Sequence, residues 1–494
     1  MANLRYVCLS DLHLGADYSI LTPTERDLEA PGPVLTTFAA ALRQLIAGLP
    51  TSATSPPQLL VHGDLLDLGL SPLDDVAKGF QRFVEALLVP PTPLAPDLRV
   101  IPGNHDHMIW QWALEEHYVK KLRHGKLETM KPVTRLFAEP AADGDAYPKS
   151  RLLTTLLRQV TKNDEGDVYV AYPNFGLSNG SGRCIVFSHG HFVESMYRLM
   201  SQVRRFLRLG GPGVRTIEDL EAENAPWIDF VWSTFGDTGA LGKEMQRLYE
   251  QLQDAAANAE LTSELAKRLT TRLLPHLPMG GEPLVRTWAE RILHAVLDAT
   301  VERMGDLERN SYAKPLTDDT VEGLRWYLDV PLRNQIDAAL ERMPGATIDD
   351  VAFVFGHTHK PFQDAIALER YARPVRVFNT GGWVLDEPTM SSREGASIVL
   401  VDDDLNVVAV RLFHQPLDGT VDGDGKRGVY VPTSGADPAG NPLRAAVEHA
   451  LAAPTTAQAF RDFVAAVSQA FVARQRALIE RFDLPRAGVI GGVR

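Results

Sequence analysis

Five times along this chain a short apolar run stops at a small residue and gives way at once to Asp, Asn or His. The clearest case is Leu98-Arg99-Val100-Ile101, followed by Pro102-Gly103-Asn104-His105-Asp106-His107. The run at 4–9 precedes Ser10-Asp11-Leu12-His13-Leu14-Gly15, and the run at 59–61 precedes His62-Gly63-Asp64-Leu65-Leu66-Asp67. The runs at 184–187 and 351–355 precede Ser188-His189-Gly190-His191 and Gly356-His357-Thr358-His359. Short continuous apolar runs bounded by turn residues read as strands buried on both faces. Polar groups released from strand ends are how open α/β sheets build their sites. Helical spacing between the first three runs completes a β-α-β-α-β order. It places Leu35, Phe38, Leu42 and Leu45 inward over 34–48, and Val76, Phe80, Phe83, Val84 and Leu87 inward over 74–88.

The pattern weakens from Trp110 to about Val168. One segment there is basic, with Lys120, Lys121, Arg123, Lys126, Lys131 and Arg135 against Glu128 alone. Strand-like runs resume at 168–171 and 184–187. Residues 193–348 read as helices throughout, with an apolar stripe of Met196, Leu199, Met200, Val203, Phe206 and Leu207 interleaved with Arg198, Arg204, Arg205 and Arg208. Periodic stretches at 241–274 and 282–307 continue the helical block. The sheet returns at 351–355 and at 375–378, which ends in Asn379-Thr380-Gly381-Gly382-Trp383. A hairpin is expected from 396–401 and 407–413 about the turn at 402–406. Residues 416–441 read as loop and 443–482 as one or two amphipathic helices. The expected organisation is a catalytic domain from 1–192 and 349–415, a helical insertion at 193–348, and a loop with a C-terminal helical extension at 416–494.

The charge balance narrows the partners. A net charge of −13 argues against a general binder of nucleic acid or anionic membrane, while leaving room for local basic patches. The longest apolar runs fall far short of the ~18 residues of a spanning helix. The first residues show no charged region leading into a hydrophobic core, so no signal peptide is expected. The two cysteines, Cys8 and Cys184, sit inside apolar runs and read as reduced core residues, which makes a cytoplasmic location the default.

Asp, Asn and neutral His are oxygen and nitrogen donors suited to Mn, Fe, Zn, Ni or Co. The five stretches carry enough of them for two divalent ions. A carboxylate can bridge two ions, and ions roughly 3.5–4 Å apart can clamp both sides of an in-line displacement. Neither cysteine stands within a motif, which speaks against a structural zinc site.

In order and spacing, Asp11-x-His13, Gly63-Asp64-x-x-Asp67, Gly103-Asn104-His105-Asp106, His189-Gly190-His191 and Gly356-His357-x-His359 together closely resemble the calcineurin-like metallophosphoesterase superfamily. The resemblance covers roughly 4–192 and 350–413. It implies a four-layer α-β-β-α sandwich, here with an inserted all-helical cap and a C-terminal helical extension. It implies that Asp11, His13 and His359 bind one metal, that Asn104, His189 and His357 bind the other, and that Asp64 bridges them. By the same resemblance His105 is the general acid beside the leaving-group oxygen, and Asp67 holds its imidazole. A metal-bridging hydroxide is expected to attack phosphorus, with no covalent enzyme intermediate. His107 and His191 each follow a better candidate by two residues. Asp106 reads as a loop-fixing hydrogen-bond acceptor, and strand alternation points His62 away from Asp64.

Departures from subfamily patterns narrow the reading. Leu68 and Asp106 stand where protein Ser/Thr phosphatases of the superfamily carry Arg and Glu. The local resemblance of Ser10–Gly15 and of 356–361 to lipid A-precursor pyrophosphatases meets His105 where those carry Arg. The favoured expectation is a phosphoesterase of a small or lipid-linked phosphodiester, pyrophosphate or monoester. The alternatives are a nuclease on the same core, for which no strong nucleic-acid signal exists, and a non-catalytic metal-binding scaffold. The helical block, anchored between His189 and His357, reads as a cap over the site or as a packing or oligomerisation domain. His191, Arg198 and Arg204 are candidates for substrate contact. The basic helix that carries the two arginines could equally lie on a membrane surface.

Overall fold

A computed structural model describes residues 2–23, 28–125, 131–137, 147–206, 213–236, 314–385, 393–414, 428–433 and 440–482. The chain divides into two compact units. One comprises Met1–Gly190 with Ile336–Arg494, the other His191–Gln335.

In the first unit, β1 (Leu4–Leu9), α1 (Pro33–Ala47), β2 (Gln58–His62), α2 (Leu73–Leu87) and β3 (Leu98–Ile101) follow the expected alternation. Next come α3 (His107–Arg123), α4 (Arg151–Thr161), β4 (Val168–Val170), β5 (Asn174–Ser178) and β6 (Ser181–Ser188). In the helical unit lie α5 (Leu199–Phe206), α6 (Ile217–Gly236) and α7 (Asp318–Tyr327), and α8 (Arg333–Leu340) runs across its boundary. The periodic stretches at 241–274 and 282–307, with Leu207 and Arg208, lie outside the described residues. The first unit then adds β7 (Thr347–Phe355), β8 (Phe362–Ile366), β9 (Val375–Asn379), β10 (Gly395–Asp402), β11 (Val407–His414), α9 (Pro442–Ala452) and α10 (Pro454–Phe482).

Two sheets result, in the orders β11-β10-β1-β2-β3-β4 and β5-β6-β7-β9-β8. The first is parallel from β1 to β4, with β10 antiparallel to β1. In the second, β6, β7 and β9 are parallel. Alternation assigns the faces. Tyr6, Cys8, Leu60 and Ile101 of the first sheet meet Phe175, Ile185, Phe187, Ala352, Val354 and Phe378 of the second in one core. Val7, Leu9, Leu59, Val61, Leu98 and Val100 face the other way, onto α1, α2, α4 and the two C-terminal helices. Phe463 of α10 packs on Phe38 of α1 and on Trp383, at ring-centroid distances of 5.6 and 6.0 Å. The C-terminal helices thus complete the main core.

Four elements escape the sequence pattern. α3 buries Ile109, Trp110 and Ala113 yet exposes Met108, Val119 and Leu122, so no single apolar stripe marks it. α4 is short, and its amphipathic spacing starts only after a loop, where the Ser150 side chain caps Leu153 N. β5 carries Gly176 in its middle, where a Cβ would press on the Phe137 ring. β8 is a half-exposed edge strand.

In the helical unit, Leu199, Leu220, Ile228, Leu324 and Leu328 are buried. Trp227 Nε1 donates to Met196 O at 3.1 Å, and Asn224 Oδ1 accepts from Met200 N at 3.1 Å.

Candidate metal centre

The parallel strands put their C-terminal ends at common edges, and the loops there are tied to one another by backbone bonds. Asp11 N donates to Gly63 O at 3.0 Å and His13 N to Asp64 O at 2.9 Å; Gly356 N donates to His189 O at 2.9 Å. Side chains lock the remaining loops. His105 N donates to Asp64 Oδ1 at 2.9 Å, and His357 N to the Asp11 carboxylate at 2.9 and 3.0 Å. Asp64 thereby spends Oδ1 on a neighbouring loop and turns Oδ2 inward, while both oxygens of Asp11 accept from the His357 loop.

The turns are sharp enough to strain the backbone. Among the described non-glycine residues seven have left-handed φ, and five of these are Asp11 (52°), His13 (46°), Asp64 (45°), His357 (71°) and His359 (57°). Each such residue costs on the order of 1–3 kcal/mol, and such costs concentrate at functional sites. Gly63, at φ 113°, is forced as well: a Cβ there would lie inside the His189 ring.

The side chains converge in three groups whose donor atoms lie within 4.8 Å of one another: Asp11, His13 and His359; His13, Asp64 and His105; and Asp64, His189 and His357. Asp64 Oδ2 stands 3.6 Å from His13 Nε2 and 3.4 Å from His189 Nε2, between the outer groups. His13 Nε2 and His359 Nε2 are 3.2 Å apart, and His359 Nε2 is 3.5 Å from Asp11 Oδ1. On the other side, His357 Nδ1 lies 3.1 Å from His189 Nε2, and Asn104 Oδ1 lies 2.8 Å from the same atom. None of these side chains is more than 4% exposed. Two buried carboxylates and four close-set imidazole nitrogens are costly without positive charge between them. The set therefore fits divalent cations with mixed oxygen and nitrogen ligands.

His105 is held differently. Its Nδ1 lies 2.8 Å from Asp67 Oδ1, and Ser71 Oγ donates to Asp67 Oδ2 at 2.9 Å. The carboxylate fixes the proton on Nδ1 and leaves Nε2 for chemistry. Asp106 accepts from Gly103 N at 2.7 Å and Leu66 N at 3.1 Å, so it staples two motif loops together, as its sequence position suggests. Burial raises its carboxyl to about 6. His62 faces Phe187 in the inter-sheet core, and burial lowers it to about 4, leaving it neutral at pH 7. His107 opens α3 with its ring against Tyr172 and does not belong to the donor groups.

The three candidates for substrate contact belong to the helical unit. His191 packs on Phe192 and Tyr197. Arg198 sits over Trp326, 4.7 Å from the ring centroid, and its Nη2 donates to Val193 O at 3.2 Å. Arg204 pairs with Glu223. Both arginines are therefore engaged inside their own unit.

Residues 4–240 match the family model of calcineurin-like phosphoesterases. The chain carries a calcineurin-like phosphoesterase domain. It is thereby a metal-dependent phosphoric ester hydrolase. No curated protein matches it. The family match ends well before Gly356-His357-Thr358-His359. The phosphoesterase takes this last pair of donors from beyond the matched stretch, because β7 pairs in parallel with β6.

Sequence reasoning missed several supports of the phosphoesterase site. Ser10 Oγ bonds Asp11 Oδ2 and lies 2.5 Å from Thr380 Oγ1. Trp383 N donates to Asp11 O at 3.0 Å, and Asn379 Nδ2 to Gly356 O at 2.8 Å. The apolar run ending in Asn379-Thr380-Gly381-Gly382 was a sixth strand end of the same kind. Lacking a carboxylate or imidazole, it offered no metal-binding signal. Ser71 and Tyr18, which contacts His13, carry no local pattern.

Proposed function

We propose that the chain hydrolyses a small or lipid-linked phosphodiester, pyrophosphate or phosphomonoester with two divalent ions. Asp11, His13 and His359 would hold one ion, and Asn104, His189 and His357 the other, with Asp64 shared between the two groups. The ions, drawn from Mn, Fe, Zn, Ni or Co, would supply Lewis-acid polarisation and an activated water. This chain's own part is positioning and proton transfer. His105 Nε2 donates its proton to the departing oxygen, and Asp67 stabilises the imidazolium that precedes transfer. The hydrogen bond between His105 Nδ1 and Asp67 Oδ1 at 2.8 Å, beside the donor groups, carries this reading. A scaffold has no use for an oriented acid. The helical unit starts at His191, two residues after His189; this connectivity supports its reading as a substrate-selecting cap. Cys8 and Cys184, buried within apolar strands, support a cytoplasmic setting.

The test is turnover of bis-p-nitrophenyl phosphate and p-nitrophenyl phosphate with Mn, Fe, Co, Ni and Zn in turn, beside a His105→Ala variant. Turnover that requires metal and falls in the variant is expected. No turnover with any ion would sink the reading, equal rates for the variant would remove His105 from its role, and cleavage of plasmid DNA would favour a nuclease.

A further inference from the structure

The loop that follows Asp11-x-His13 is held by the far end of the chain. Tyr18 is buried, and its hydroxyl lies 3.3 Å from His13 Nδ1. The two rings tilt against each other with centroids 5.4 Å apart. Tyr18 packs with Ala16, Val384 and Leu70, and its carbonyl accepts from Leu385 N at 2.9 Å. Ser19 Oγ donates to Leu12 O at 2.7 Å, closing the loop from inside. From outside, one nitrogen of the Arg474 guanidinium donates to Ser19 O at 2.8 Å and to Thr22 O at 2.7 Å. Arg474 is a buried residue of α10, far beyond the stretch that matches the family.

We propose that Tyr18 is a positioning residue for the metal ligand His13, and that Arg474 of the C-terminal helix sets Tyr18 in place. The proposal rests on the reading of His13 as a ligand given above. His13 turns Nε2 toward the other donors, 3.2 Å from His359 Nε2 and 3.6 Å from Asp64 Oδ2. A neutral imidazole has one N–H and one lone pair. A hydroxyl that accepts the N–H at Nδ1 puts the lone pair on Nε2, where an ion needs it, and stops the ring from turning over. Arg474 acts through the backbone. By holding the carbonyls of Ser19 and Thr22 together it fixes the turn from which the Tyr18 ring projects. A helix outside the family match thereby acts on a metal ligand near the N-terminus.

The experiment titrates Mn²⁺ into the full-length metal-free protein by calorimetry, with Tyr18→Phe, Arg474→Lys and His13→Ala in parallel, and records each metal-free melting midpoint. Tyr18→Phe keeps the ring and loses only the hydroxyl. It is expected to weaken one of the two ions by about 10–100-fold, leaving the other ion and the metal-free midpoint unchanged. Arg474→Lys is expected to weaken the same ion by a smaller factor. An unchanged isotherm for Tyr18→Phe overturns the proposal. So does equal weakening of both ions with a lowered midpoint, which would make Tyr18 a packing residue only. If His13→Ala binds both ions as the parent does, the ligand assignment itself falls, and the proposal with it.

Discussion

At the scale of single residues, the site separates side chains whose donor atoms converge from the groups that hold those side chains in place. His105→Ala is expected to lower kcat by about 10²–10⁴-fold while metal content, measured by mass spectrometry, stays at the parent's value. Asp67→Asn keeps the shape and offers the imidazole a different proton arrangement, so it should share much of that loss. Ser71→Ala removes only the outer bond to Asp67 and should cost about tenfold in kcat, with Ser71→Thr restoring it. Gly63→Ala tests the backbone instead. The new methyl enters the His189 ring, so metal affinity and melting midpoint should fall together. Most of these donors were legible in the sequence because each stands within two or three residues of a turn glycine or serine at a strand end. Tyr18 and Ser71 were not legible. Tyr18 meets His13 by way of a loop whose path is set by Arg474, and no local spacing encodes that.

At the scale of elements, legibility followed burial. Strand stretches covered on both faces, such as 59–61 of β2 and 351–355 of β7, show unbroken apolar runs, and helices with one buried stripe, such as α1, show the helical period. α3 shows neither, because apolar residues occupy opposite sides of it. Edge strand β8 pairs, among the described residues, only with β9 and can stay polar. The C-terminal helix was legible as a helix, while its place in the core was not. Amphipathic spacing shows that a face is apolar, never what it meets. Phe463 meets Phe38, Trp383 and Phe413. Phe463→Ala should therefore lower stability by about 3–5 kcal/mol, read from urea denaturation of the metal-free protein. A surface helix would lose far less.

At the scale of the whole molecule, the donor groups oppose folding until cations enter them. Removing metal with a chelator should abolish turnover and lower the melting midpoint, and added ion should restore both in proportion to concentration, since ligands that bind only the folded state stabilise it by mass action. Among the described residues no helix is long and apolar enough to cross a membrane. The order of strands has a further consequence. β1 lies between β2 and β10, and His13 meets His359 across 346 residues of sequence. A ribosome adding roughly 5–20 residues per second takes about 20–70 s to travel that distance. Throughout that interval β1 lacks its second neighbour and the site lacks His357 and His359, two of its seven proposed ligands. Residues 1–240 expressed alone should therefore aggregate and retain no metal, as gel filtration and metal analysis would show. The nascent chain is therefore expected to need chaperones, and metal loading to follow synthesis.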